Sequence, residues 1–365
     1  MPAVSNRWRS GRLLAGVLVC VAAAVTLSCG YLHRSEVTSF VEEPFPRKLS
    51  EWHLFLEQKP HLRPNARVIP YDLNTPLFSD YASKYRFVWM PQGTSAAYRE
   101  DGVFEFPVGT ILAKSFAFPT ESDSHRERLI ETRLLVRGKS AWMALPYIWN
   151  EAQTEAVLDV APDPVHVRYR EASGAQHDFT YFIPNANECK QCHENSRVLL
   201  PIGPKARNLN KDFAYEDGVE NQLGRWARVG YLRGAPANPP RVAQWDAASG
   251  GPVEARAKAY LDNNCAHCHQ PGGTAGYTGI DFRANVHEAL ALGICKSPNS
   301  AGRVGNLTYD LVPGHPNESI LLARMQSIRP KEMMPQIGRS VVHEEGVKLI
   351  SQWIQEMDAS SRCAR

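Results

Sequence analysis

Two strings in the chain have residue types and spacing suited to one kind of chemistry: Cys189–Lys190–Gln191–Cys192–His193 and Cys265–Ala266–His267–Cys268–His269. In each, two thiols are separated by two residues and a His follows directly. Such a pair of thiols can add to the two vinyl groups on adjacent edges of a porphyrin. The imidazole that follows then lies under the ring, within reach of the iron. This is the pattern of covalent c-type haem attachment. Random placement of eight Cys and twelve His in 365 residues yields about 0.006 such strings, so two by accident are not expected. A zinc ribbon would pair its two Cys knuckles across roughly 15–20 residues, far fewer than separate Cys192 from Cys265. A thioredoxin-like Cys pair follows a strand in a βαβ unit and has no need of a His behind it.

The sequence therefore predicts two covalently bound haem c groups, attached at Cys189 and Cys192 and at Cys265 and Cys268, with His193 and His269 as iron ligands. The sixth ligand separates electron transfer from binding of a small substrate. For the second haem, Met334–Pro335 resembles the Met-Pro ligand loop of class I cytochromes, with Met333 as the neighbouring alternative. A thioether ligand is soft and raises the reduction potential. For the first haem, no Met and no His lies between His193 and Cys265. Its sixth ligand must come from elsewhere: upstream from His53, His61, Met90, His125, Met143, His166 or His177, downstream from His287, His315, Met325 or His343, or from Lys or water. His267, inside the second motif, reads as a spacer. A five-coordinate first haem would leave a site open for catalysis.

Which elements position these strings? Residues 49–184 read as an all-β sandwich or barrel-like domain. Strand patterns occur at 85–89, 102–106, 110–116, 129–136, 165–170 and 179–183, punctuated by Gly and Pro. A short helix is expected over 50–58. Residues 185–250, rich in Pro, Gly and polar groups, read as the first attachment segment and a linker. Residues 251–365 read as a mostly helical domain. Its first helix spans 252–264, directly before Cys265. Its last spans 341–357, with Val347, Ile350, Ile354 and Met357 on one stripe and Ser340 as cap. A helix before the attachment string and an apolar terminal helix look like a class I cytochrome c domain. The fold class is thus α+β and multidomain.

Apolar residues make up 43% and charged residues 22%, ordinary for a globular protein, and the net charge is +3 with scattered basic residues, which excludes a nucleic-acid footprint. Arg7, Arg9 and Arg12 precede an uncharged apolar run from Leu13 to Leu27. That run has the length of a signal-peptide core. Residues 1–28 are expected to be a lipoprotein-type signal peptide and Cys29 the lipidated N-terminus, with simple cleavage near Ser28 as the other reading. Residues 29–48 then form a tether. The expected location is the periplasm, with a lipid anchor in the outer membrane. Cys295 and Cys363 remain, either as a disulfide or as two thiols.

The strings Pro70–Tyr71–Asp72–Leu73–Asn74–Thr75–Pro76–Leu77–Phe78–Ser79–Asp80–Tyr81, Glu131–Thr132–Arg133–Leu134–Leu135–Val136 and Tyr147–Ile148–Trp149–Asn150 resemble an uncharacterised family of bacterial di-haem c-type cytochromes. So do the stretches that run from Asn187 and from Asn263 into the two attachment motifs. The resemblance covers nearly the whole mature chain. It implies haem binding and electron transfer with a redox partner protein, and no substrate. The alternatives are a peroxidase-like oxidoreductase with an open site at the first haem, and a module in which the β domain docks the haems onto a partner.

Overall fold

The computed structural model describes residues 35–57, 62–159, 161, 163–171, 174–299, 302–358 and 363. The expected signal peptide, Cys29 and His61 lie outside the described residues. No helix among the described residues is long and apolar enough to cross a membrane.

The architecture is α+β, with strand outweighing helix and almost all pairing antiparallel. Six strands form one open sheet in chain order: β1 (Ile69–Tyr71), β2 (Ser83–Trp89), β3 (Ile111–Pro119), β4 (Glu127–Arg137), β5 (Trp142–Trp149) and β6 (Ala156–Leu158). Alternating aromatic and branched residues suit a sheet buried on both faces. One face carries Phe87, Ala113, Leu134, Val136, Leu145 and Tyr147. The N-terminal segment packs on it through Leu49, Trp52 and Leu54, and Trp52 Nε1 donates to Tyr147 Oη at 2.7 Å. Val37, Phe40 and Phe45 join this cluster, so the stretch expected as tether lies on the sheet from residue 37 onward. The helix expected over 50–58 is a single 3₁₀ turn, Leu49–Trp52, followed by a short strand at Phe55–Glu57.

The other face is divided into bands. At one end, Val88, Met90, Leu112 and Trp142 bury against Ala206, Leu209, Leu223, Trp226 and Tyr231. The segment read as linker is therefore a packed layer, carrying short helices at Ala206–Leu209 and Gln222–Arg228. At the other end, Phe116, Phe118 and Ile130 bury under the hairpin β7 (Asp163–Arg170) and β8 (Gln176–Ile183) through Val167, Tyr169, Tyr181 and Ile183. Between the bands runs a polar row in register, Arg86–Lys114–Arg133.

Residues 102–106 are not a strand. Val103 and Glu105 make isolated bridges only, while Phe104 and Phe106 fill the core. The helix α1 (Ala186–His193) follows β8. In the C-terminal part, α2 (Val253–Asn264), α3 (Ile320–Gln326) and α4 (Glu344–Glu356) share one core of Ala257, Tyr260, Leu261, Leu322, Val347, Ile350 and Trp353. The last helix starts three residues later than expected, and Ser340 does not cap it. Instead Ser340 Oγ donates to the Thr180 carbonyl at 2.6 Å, and its backbone N–H donates to Asp80 at 2.6 Å. Cys295 and Cys363 form a disulfide, with Cα atoms 5.1 Å apart.

The stretch from Asp72 to Tyr81 joins the sheet to the C-terminal part. Phe78 N–H donates to Asn264 Oδ1 at 2.8 Å, Asn263 donates to the Thr75 carbonyl, and Tyr81 Oη donates to Glu345 at 2.8 Å.

Candidate functional site

The first string sits on α1. Asn185 caps that helix, its side chain accepting from Asn187 and Glu188 N–H at 2.9 Å, while Glu188 accepts from Asn185 N–H at 3.0 Å. Cys189 and Cys192, three apart on a helix, share a face. The chain then turns in a tight hairpin, Glu194–Asn195 against Val198–Leu199, and returns to His193. Leu200 N–H donates to the His193 carbonyl at 2.7 Å, and His193 Nδ1 lies 2.8 Å from the Leu200 carbonyl. A carbonyl only accepts, so Nδ1 carries the proton and Nε2 presents its lone pair. Burial pushes the His193 imidazole down to about 4, which keeps it neutral. A neutral ring with one nitrogen fixed by a carbonyl is the form that binds a metal.

The second string starts where α2 ends. Cys268 and His269 N–H both donate to the Cys265 carbonyl, at 3.1 and 2.9 Å, folding the string into a turn. His269 Nδ1 faces Thr278 Oγ1 at 3.4 Å. That hydroxyl donates its single proton to the Ala275 carbonyl at 2.7 Å, so toward His269 it accepts, and Nε2 is again left free. Burial pushes His269 down to about 4 as well.

Cys265, Cys268 and His269 line a cavity of about 610 Å³ whose wall includes Ile280, Phe282, Leu311 and Leu321. Met334 lines the same cavity, and Met333 does not. The Met334 loop is held by a residue the sequence did not single out. Arg339, 6% exposed, donates to the carbonyls of Met334, Val341, Ser327 and Arg324 at 3.1, 3.1, 2.7 and 3.3 Å. Met334 N–H in turn donates to the Arg324 carbonyl at 3.0 Å. Only the multiple donors of one guanidinium can gather so many acceptors, and an isolated Arg in a loop gives no pattern to find.

The two strings, far apart in sequence, are adjacent in the fold. Donor atoms of Cys192, His267 and Cys268 all lie within 4.8 Å of one another. The Gln191 carbonyl accepts from Cys268 Sγ at 3.3 Å and from Thr274 Oγ1 at 2.9 Å. Ser196 N–H donates to the Gly272 carbonyl at 2.8 Å, and Asn195 Nδ2 to the Pro271 carbonyl at 3.0 Å. Gly272 adopts φ +78°, and a side chain there would run into Ser196 and Asn195. His267, read as a spacer, is 6% exposed and its Nδ1 has no hydrogen-bond partner.

The other candidates for the first haem lie elsewhere. Met90 is in the sheet core, His166 and His177 pair with Asp178 and Glu171 on the hairpin, and His315 faces Glu318. Met325 and His343 line the cavity beside the second string, where His343 stacks on Phe78 at 4.0 Å and meets Tyr260 Oη at 2.9 Å.

The residues fit a tetrapyrrole iron centre. Both His rings leave Nε2 unprotonated, the cavity at the second string is mostly apolar with Met334 on its wall, and the thiols stand beside the His in each string. Comparison with family models, curated proteins and solved structures finds no match to the chain.

Proposed function

We propose that this chain is an exported c-type cytochrome that carries two covalently bound haem c groups and passes electrons between them and a redox partner protein. The observation that carries this is the cavity with Cys265, Cys268, His269 and Met334 on its wall. The group bound there supplies one-electron chemistry at iron. The protein's part is to fix each His through Nδ1, to hold Met334 through Arg339, and to exclude water with the apolar wall.

The C-terminal part is read as a class I cytochrome c-like unit, because α2 runs into Cys265, α4 shares its core, and Met334 precedes α4. The sheet, with its hairpin layered over one face, serves as a sandwich-like support for the first string. The contact between Cys192 and Cys268 supports a relay from one haem to the other. Cys29 is proposed as the lipid anchor in the outer membrane, with the rest of the chain in the periplasm, where the disulfide Cys295–Cys363 can persist. Changing Cys29 to Ser should release the protein into the soluble periplasmic fraction.

Partial photoreduction of the purified protein, followed by visible spectroscopy, tests the relay. Absorbance passing from one haem to the other at a rate independent of protein concentration supports it. A rate proportional to concentration contradicts it.

A second reading rests on the cluster Cys192–His267–Cys268, which is a three-ligand soft-metal set of the kind that binds zinc. In that case the purified protein holds one zinc per chain and no haem.

A further inference from the structure

The polar row on the sheet gathers more basic than acidic side chains. Strand pairing sets Arg86 opposite Lys114 and Lys114 opposite Arg133, and Lys84 stands one step along the same face. Asp72 accepts from Arg86 at 2.8 Å, but it is shared with Lys211 at 2.9 Å. Glu131, fully buried, is taken up by Arg133 at 2.5 and 2.7 Å and by Tyr181 Oη at 2.6 Å. Lys114 meets the Phe116 ring at 4.7 Å and no carboxylate within ion-pair distance among the described residues. Arg86 is 5% exposed, and its Nη2 has no hydrogen-bond partner among the described residues. Four basic side chains thus gather round Glu131 and the shared Asp72, with Asp80 acting on Lys84, and burial pushes Lys84 down to about 7 and Lys114 well below its ordinary value. An anion on this row would hold the lysines charged and give Arg86 Nη2 an acceptor.

The first attachment string lies against it. Helix α1 packs on β5, the strand beside Arg133. Lys114 and Arg133 both act electrostatically on His193, and Arg133 also acts on Cys189 and Cys192. We propose that Arg86, Lys114 and Arg133, with Lys84 beside them, form the binding site for the carboxylate side groups of the tetrapyrrole attached at Cys189 and Cys192. This rests on the haem reading above and adds what orients the first group on the sheet. Arg supplies paired donors to a carboxylate, and Lys supplies a point charge.

Redox titration of the full-length protein carrying Lys114→Gln tests the proposal, read at the haem that lacks the Met334 signature. Removing one buried positive charge should shift that haem alone to lower potential, by roughly tenfold in its oxidised-to-reduced ratio at fixed potential. That is the effect of one unit charge at about 10 Å with an effective dielectric of about 20. Lys114→Arg should restore the wild-type value. An unchanged potential in a Lys114→Gln protein that keeps two haems overturns the proposal. If Lys114→Gln fails to load the first haem, resonance Raman of the wild type decides. A propionate bending band at the position of a hydrogen-bonded carboxylate, moved by Lys114→Arg, supports the site; a band of solvent-exposed carboxylate overturns it. A wild-type protein with no haem refutes the haem reading itself, a different outcome.

Discussion

Cys192 and Cys268 bring their sulfur atoms within 4.8 Å of each other, with a His267 nitrogen inside the same radius. The two residues come from a helix that follows the sheet and from a turn that follows α2. Their approach depends on backbone that has almost no room. A Cβ on Gly273 would overlap the Cys268 carbonyl, and the Gln191 carbonyl accepts from both Thr274 and Cys268. The two Cys-x-x-Cys-His strings are therefore one joined site. On the proposed haem reading, that adjacency favours a relay over two independent haems.

Met334→Ala should lower the potential of one haem and abolish its weak near-red methionine–iron absorption, because the thioether proposed as ligand is then gone. Met333→Ala should leave both unchanged, since Met333 does not line the cavity. Visible spectra and redox titration of the two variants check this.

Arg339→Ala removes one guanidinium from four carbonyls at once. The expected cost is about 3 kcal/mol, as buried acceptors lose charged donors. The near-red band should persist at low temperature and fade on mild heating, well before global unfolding. A band as heat-stable as in the wild type would remove Arg339 from this role.

Asp262 ties the Ala206–Leu209 segment to α2. Arg207 donates to it at 2.8 and 3.1 Å, and Lys205 stands 3.5 Å away. Burial pushes its carboxyl up, but Lys205 and Arg207 together outweigh this and hold it below the usual 3.8. Its folded value being depressed, its contribution is full above the unfolded value and is lost as pH falls through the folded one. Asp262→Asn should cost about 3–5 kcal/mol at pH 7, because it leaves buried cations unpaired. The gap to the wild type should narrow below pH 3.8, read by urea unfolding at pH 7 and pH 3.

Cys295 and Cys363 close a loop of 68 residues. Replacing both with Ser should lower stability by about 4 kcal/mol through the freer unfolded chain. The haem spectra should not change, because neither Cys lines the cavity itself. Chemical denaturation with visible spectra measures both.

The sequence was most legible where a short local rule applies. The five-residue strings, the helix that feeds Cys265 and the strands around Phe87, Phe116 and Leu134 all follow from spacing and period. Trp142–Trp149 was harder, because Pro146 interrupts a central strand where Pro is normally excluded. The string Asp72–Tyr81 was noticed only as a likeness. Its physical use, bonding to Asn264, Ser340 and Glu345, depends on residues far along the chain that no local pattern connects. The same holds for Arg339 and for the burial of His267. Ser340, a natural cap by sequence, was drawn away by Thr180 and Asp80.

The most direct test is the pyridine haemochrome spectrum of the purified full-length protein with protein quantified alongside. Two haem c per chain are expected, falling to one in Cys189→Ala/Cys192→Ala and to one in Cys265→Ala/Cys268→Ala. A wild-type chain without haem, with zinc bound in equal amount, would contradict the account.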